Sequence, residues 1–184
     1  MISEEVHGTN SRMAVLPIFE YPDSVLKQKA RPVPEINDTL QKLIDDMFET
    51  MYAAPGIGLA APQVGLSIRL FVYDLRESEE HPRHIGVLIN PEFVKKSGAQ
   101  TDEEGCLSVM DYRSRVERAK QVVVRGLDRR GQPVTVEGAG LMARMLQHEM
   151  DHLDGMVFVD RLSSLKRQMF LKRLKKRQRT GPGE

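Results

Sequence analysis

The stretch Gln147-His148-Glu149-Met150-Asp151-His152 places two imidazoles and a carboxylate at spacings that suit metal chemistry. Residues four apart on a helix lie about 40° apart around its axis, so His148 and His152 can grip one ion from the same face. Leu141 and Met145 extend that face toward the N-terminus. Glu149 is offset by about 100° from His148, which leaves it beside the ion, within reach of a bound water. A carboxylate so placed is a general base. The bland alternative is a chance pentad on a surface helix, so the rest of the sequence must supply what a real site needs.

A hydrolytic site of this kind takes three protein ligands and keeps its fourth position open. Gly155 matches the glycine of the extended metalloprotease pattern, but the following ligand position is Phe158, which cannot bind a metal. The only glutamate after Glu149 is Glu184. Asp160 is left as one candidate. Upstream, the single cysteine of the chain lies in Glu104-Gly105-Cys106-Leu107-Ser108, and a thiolate with two imidazoles makes an acceptable ligand set. Cys106 is therefore favoured over Asp160, although a lone cysteine is more often an inert buried thiol.

The elements that must position these groups can be read from pattern and punctuation. A chain of 184 residues, 40% hydrophobic and 29% charged, suits one domain with a single core. Arg31-Pro32-Val33-Pro34 cannot be helical, and Asn37 and Asp38 are good caps for a helix over about 38–53. Its Leu40, Leu43, Ile44, Met47, Phe48 and Met51 recur at helical spacing, a core face rather than a methionine-lined box. Gly56-Ile57-Gly58-Leu59-Ala60-Ala61-Pro62-Gln63 is dense in small residues, which permits close approach of a ligand or another backbone, and Gln63 sets an amide among apolar neighbours. A tight turn against the core explains the same residues equally well. Strands are expected over Ile68–Tyr73, Ile85–Ile89, Glu92–Lys95, Val122–Leu127 and Pro133–Glu137, the last two joined by Asp128-Arg129-Arg130-Gly131. Arg76 to Arg83 reads as a mobile loop, 140–153 as the motif helix and Met156–Val159 as a short strand. The expected class is α+β: antiparallel β-sheets packed around a central metal-binding helix, with a C-terminal helix.

One cysteine excludes an intrachain disulfide, and no apolar run approaches the roughly eighteen residues of a membrane span, so a cytoplasmic location is expected. Residues 1–12 read as a disordered extension, natural or appended, with a catalytic domain over 13–162 and a basic tail over 163–184. The net charge of +1 is uneven: residues 161–184 hold nine Lys and Arg against Glu184, so they carry +8 and the remainder −7. The tail has helical spacing, with Leu165, Met169 (or Phe170) and Leu174 on one side. It reads either as a solvated helix capping the sheet or as a docking element for ribosomal RNA or another polyanion.

Three segments, Gly56 to Gln63, Glu104 to Ser108 and Gln147 to His152, resemble the three signature motifs of peptide deformylase in order and spacing. The resemblance runs from about Met13 to the basic helix, and that helix is similar to the one associated with ribosome binding in bacterial type 1 enzymes. Met110 departs from it, standing where many relatives have proline, which bears on loop rigidity rather than chemistry.

The resemblance implies removal of the formyl group from the N-terminal formylmethionine of nascent chains, with release of formate. It implies one divalent ion, Fe²⁺ natively with Zn²⁺, Ni²⁺ or Co²⁺ as substitutes, held by Cys106, His148 and His152. Glu149 would be the base, and Gln63 and the Leu107 backbone N–H would hold the oxyanion. Backbone groups of Ile57, Gly58 and Gly105 would pair an extended peptide, Leu141 and Met145 would help line the methionine pocket, and Arg113 would touch the peptide further along. Glu104 is expected to pair with Arg118. Two other classes stay open from the residues alone: a zinc endopeptidase using Asp160, and a non-catalytic, metal-stapled ribosome-binding module.

Overall fold

The computed structural model describes residues 13–75 and 83–180. The expectations for residues 1–12 and for nearly all of the loop after Leu75 lie outside the described residues. Helix α1 (Asp38–Ala53) starts where expected, with the Asn37 side chain accepting from the Leu40 N–H at 3.1 Å. Leu40, Ile44, Met47 and Met51 are buried along its inner face, so its methionines belong to the core.

Among the described residues seven strands follow: β1 (Gly58–Ala60), β2 (Leu70–Leu75), β3 (His84–Ser97), β4 (Gln100–Cys106), β5 (Val109–Arg118), β6 (Gln121–Leu127) and β7 (Pro133–Ala139). Five make one antiparallel sheet in the order β1-β2-β3-β6-β7, and β4 with β5 makes a separate hairpin. Helix α2 (Gly140–Leu153) follows β7 directly, and α3 (Ser164–Thr180) ends the described chain. Alternate residues of a strand point to opposite faces. In β2, Phe71, Tyr73 and Leu75 pack with Met142, Met145, Leu146 and Met150 of α2, while Leu70 and Val72 pack with Ile44, Met47 and Met51 of α1. This two-sided burial makes β2 apolar except at Asp74, and the outcome is the expected α+β arrangement around α2. A third cluster joins Val109 and Val116 of β5 to Phe158, Val159 and Phe170.

The structure departs from expectation in four places, each with a physical cause. Ile85–Ile89 and Glu92–Lys95 are parts of one strand, β3, interrupted by a register shift between Ile89 and Glu92. Asn90 takes φ of 52° there, and its side chain makes two bonds to Val33, accepting from the N–H at 2.7 Å and donating to the carbonyl at 3.0 Å. The β4–β5 hairpin has no counterpart among the expected strands, because Gln100–Cys106 is polar and largely exposed. Met156–Val159 is not a strand: a 3₁₀ turn spans Phe158–Arg161, and the Asp160 carboxylate accepts from the Val157 N–H at 3.0 Å. The apolar run is there to fill the core, with Val157, Phe158 and Val159 all buried. On α3, Phe170 is the buried residue while Leu165 and Met169 are exposed, so the inner face runs through Phe170, Leu171 and Leu174. The β6–β7 turn is as expected, with Gly131 at φ of 78°.

The Asn90 strap is testable by urea unfolding. Asn90→Ala should cost about 2 kcal/mol, the loss of two hydrogen bonds plus the strain of positive φ. Asn90→Gly, which suits that φ but makes neither bond, should lie between the variant and the wild type. A loss below about 0.5 kcal/mol for Asn90→Ala, the range of ordinary surface changes, would show that the strap does not stabilise the sheet.

Candidate metal centre

Three elements deliver the site. Helix α2 carries His148 and His152 one turn apart with Glu149 next to the first, β4 ends on Cys106, and the short 3₁₀ turn Ala61–Val64 carries Gln63. The packing of Met142, Leu146, Met150 and Leu153 into the sheet fixes the rotation of α2. His148 and His152 are thereby turned toward Cys106. The ligand atoms of Cys106, His148 and His152 lie within 4.8 Å of one another, with Cys106 Sγ 3.3 Å from His152 Nε2. The two imidazole rings stand nearly perpendicular, 76° apart, with centroids separated by 5.0 Å. A sulfur and two ring nitrogens so gathered suit a borderline divalent transition ion, and Glu149, next to His148 in the chain, has a buried oxygen, Oε2, with no hydrogen-bond partner among the described residues.

Charge makes the same point. Burial pushes the pKa of both imidazoles down. At His148 the negative charges of Cys106, Glu104 and Glu149 outweigh burial and raise it well above the ordinary value, whereas His152, beside that positive ring, falls well below. His148 therefore holds a proton more readily than His152, and a dication at the cluster competes with that proton.

His148 is oriented from behind. Its Nδ1 lies 3.2 Å from Glu104 Oε2. Burial alone would raise the pKa of Glu104, but hydrogen bonds from Arg118 and His148 prevail and bring it to about 2. Facing an ionised carboxylate, Nδ1 must donate, which makes Nε2 the nitrogen available to an ion. Arg118 Nε and Nη2 donate to the two oxygens of Glu104 at 2.8 and 2.9 Å, the pairing expected, and Nη1 donates to Asp151 at 2.6 Å. Asp151 also accepts from both Nε and Nη2 of Arg161. Neither Asp151 nor Arg161 was singled out by sequence reasoning. The only signal was the carboxylate inside the histidine motif, which i, i+3 geometry places beside His148.

Glu149 lies across from these groups, 3% exposed. Burial, partly offset by positive His148, raises its pKa to about 7. Its carboxyl packs on Gly58, where a Cβ would overlap one oxygen and come within 2.8 Å of Cδ. Only a glycine lets β1 approach this closely. Gln63 is buried; its Oε1 accepts from the Ala60 N–H at 2.9 Å, and Nε2 donates to Ser108 Oγ at 3.2 Å and faces Cys106 Sγ at 3.6 Å. Its amide is therefore turned toward the cluster.

The other expected positions are less uniform. Ile57 is exposed beside β1, which is an edge strand of the sheet, and Gly105 lies under the side chain of exposed Arg113, itself 3.7 Å from Glu103. Leu141 is exposed, but Met145 is buried in the main core cluster. Asp160 does not join the Cys106, His148 and His152 cluster: it pairs with Lys27 at 2.6 Å and Arg167 at 3.1 Å. The endopeptidase reading loses its third ligand.

A three-donor centre beside a buried carboxylate of raised pKa, set in an α+β fold, defines a mononuclear metallohydrolase. The polypeptide deformylase family model matches residues 15–168. A peptide deformylase of Thermodesulfovibrio yellowstonii is 53% identical over 163 residues, 89% of this chain and 98% of that protein. A crystal structure of a peptide deformylase from Legionella pneumophila superimposes with a TM-score of 0.82 at 46% identity, covering 92% of this chain and all of that one. A Met-Ala-Ser-bound structure of the class I type b peptide deformylase from Acinetobacter baumannii gives 0.77 at 38% identity, covering 82% and 100%. The chain belongs to the polypeptide deformylase family. Its activity is the metal-dependent removal of the N-formyl group from nascent peptides.

The charge balance predicts that metal uptake displaces a proton. Calorimetry in buffers of different ionisation enthalpy should show proton release on metal uptake near neutral pH, and affinity should fall as pH drops. Uptake without proton release would contradict the protonated state assigned to His148.

Proposed function

We propose that Cys106, His148 and His152 hold one divalent ion, Fe²⁺ natively with Zn²⁺, Ni²⁺ or Co²⁺ as substitutes, and that Glu149 is the general base of deformylation. The observation that carries this reading is the convergence of the three ligand atoms next to an unpartnered oxygen of Glu149. When bound, the ion supplies a Lewis acid and lowers the pKa of water toward neutrality. Glu149, with a pKa near the working pH, takes the proton of the attacking water and returns it to the leaving amine. The Gln63 amide, fixed by Ala60 and turned to the cluster, donates with the Leu107 backbone N–H to the developing oxyanion.

The substrate is an N-terminal formylmethionine peptide. Met-Ala-Ser, bound by the Acinetobacter enzyme, is what removal of formate from formyl-Met-Ala-Ser leaves. The peptide adds as a strand beside β1, pairing with Ile57, Gly58 and Gly105, with Arg113 over Gly105 touching later residues. Leu141 lines the mouth of the methionine pocket, and buried Met145 forms part of its floor.

Residues 13–162 form the catalytic unit, and the tail from residue 163 docks on the ribosome. Lys166, Lys172, Arg173, Lys175 and Arg179 are exposed on α3, which is seated through Phe170. Such a basic cluster binds phosphate without regard to sequence. No helix among the described residues is long and apolar enough to cross a membrane, and the enzyme acts in the cytoplasm, where nascent chains emerge and a thiolate ligand survives.

Formate release from formyl-Met-Ala-Ser by anaerobically purified, Fe²⁺-loaded protein tests the chemistry. Glu149→Ala at equal metal content should fall by about 10²–10⁴-fold. Gln63→Ala should lose about 10²–10³-fold in kcat while keeping its metal. Full activity in Glu149→Ala would remove the base assignment. For docking, reversing Lys172, Arg173 and Lys175 to glutamate should abolish co-sedimentation with ribosomes at moderate salt and leave turnover of the free peptide unchanged. Ribosome binding that survives the reversal would assign it to another surface.

A further inference from the structure

We propose that Arg161 is a positioning residue for the metal centre, acting on His148 through Asp151, Arg118 and Glu104. The inference rests on the ligand reading above and extends it to a side chain outside the three motifs.

The path is continuous in hydrogen bonds. Arg161 grips Asp151 with two nitrogens, Nε donating to Oδ2 at 2.6 Å and Nη2 to Oδ1. Arg118 donates to the same Oδ2 at 2.6 Å and, with its other two nitrogens, to both oxygens of Glu104. Glu104 receives His148 Nδ1. The side chains of Arg118, Asp151 and Glu104 are 1%, 6% and 7% exposed, so the carboxylates depend on each other's partners rather than on water.

Counting charge shows what Arg161 adds. Glu104, Arg118 and Asp151 alone sum to one excess negative charge in a buried place, and Arg161 brings the group to neutrality. Without it, Asp151 Oδ1 has no donor among the described residues, and a buried carboxylate that loses a partner draws on the donors that remain. Arg118, which already donates to Oδ2, is pulled toward Asp151 and away from Glu104. That shift loosens the carboxylate that fixes the ring of His148. A direct effect of the Arg161 charge on a bound dication has the opposite sign, since removing a cation should tighten binding. Arg161 is 37% exposed, so water screens that field, and the hydrogen bonds to buried Asp151 decide.

The residue is also rigidly presented. It ends the 3₁₀ turn Phe158–Arg161, whose Phe158 and Val159 are buried. The preceding Asp160 is tied to the Val157 N–H, Lys27 and Arg167.

The test follows zinc release to a chelator from loaded protein, with the visible spectrum of the Co²⁺ form as a probe of ligand geometry. Arg161→Met should release zinc about tenfold faster, the low end for groups that orient a ligand, and should shift the Co²⁺ bands. Arg161→Lys, which keeps the charge with one donor group, should recover part of the loss. Lys27→Ala cuts a different tie to the same turn and should leave release within twofold of wild type. His148→Ala separates the two readings: it should abolish tight binding, and if it does not, the ligand assignment fails first. If His148→Ala behaves as expected but Arg161→Met and Arg161→Lys release zinc at the wild-type rate or slower, the role given to Arg161 is wrong. Equal acceleration by Lys27→Ala would also overturn it, showing only a loosened turn.

Discussion

The guanidinium of Arg118, closed in between Glu104 and Asp151, is the interaction on which the site depends. A buried charge is costly unless every hydrogen bond it can make is made, and removing one partner from such a group costs far more than the group contributes in net stability. The fold is arranged to meet that demand. In the β4–β5 register Glu104 lies opposite Ser114 and Arg118 opposite Gln100, so the long Arg118 side chain runs along the hairpin to reach Glu104, and α2 delivers Asp151 to its third nitrogen. The hairpin and the helix cannot shift independently without breaking the triad. Since Cys106 lies two residues beyond Glu104, and His148 and His152 flank Asp151, the same constraint sets the spacing of the ligands.

Two glutamates in one site show what environment does to a single kind of side chain. Glu104, bound by a guanidinium and an imidazole, is held ionised with a pKa of about 2. Glu149, equally buried but with one oxygen unpartnered, rises to about 7. One is a fixed anion that aims a ring, and the other can carry a proton in either direction at physiological pH. Gly58 leaves room for the Glu149 carboxyl, which any Cβ at that position would strike.

Much of this was legible in the sequence wherever the determining contacts are local. The His148–His152 spacing, the Asn37 cap, the α1 core face and the Asp128–Gly131 turn depend on neighbours within a few residues, and all are found as read. What was not legible depends on distant partners. Gln100–Cys106 carries no apolar alternation because its hairpin is held by Arg118 and its partner strand rather than by a buried face. Asn90-Pro91 reads as a break, yet β3 passes through it because Val33, far away in sequence, satisfies the asparagine. Val157–Val159 alternates with nothing and fills a core without pairing. Asp160 looked like a spare ligand until Lys27 and Arg167 were seen to claim it.

Cys106 and His152 are 46 residues apart in the chain, and between them run β5, β6, β7 and most of α2. An ion bridging them closes that loop in the native state and finds no equivalent site in the denatured chain. Such a contact has high sequence separation, so its closure entropy must be met before it returns any energy, and the hairpin and helix can form well before they meet. A site built from such distant residues returns nothing until both have been brought together. An ion bound only by the assembled site would stabilise that state by an amount that grows with the logarithm of the free metal concentration.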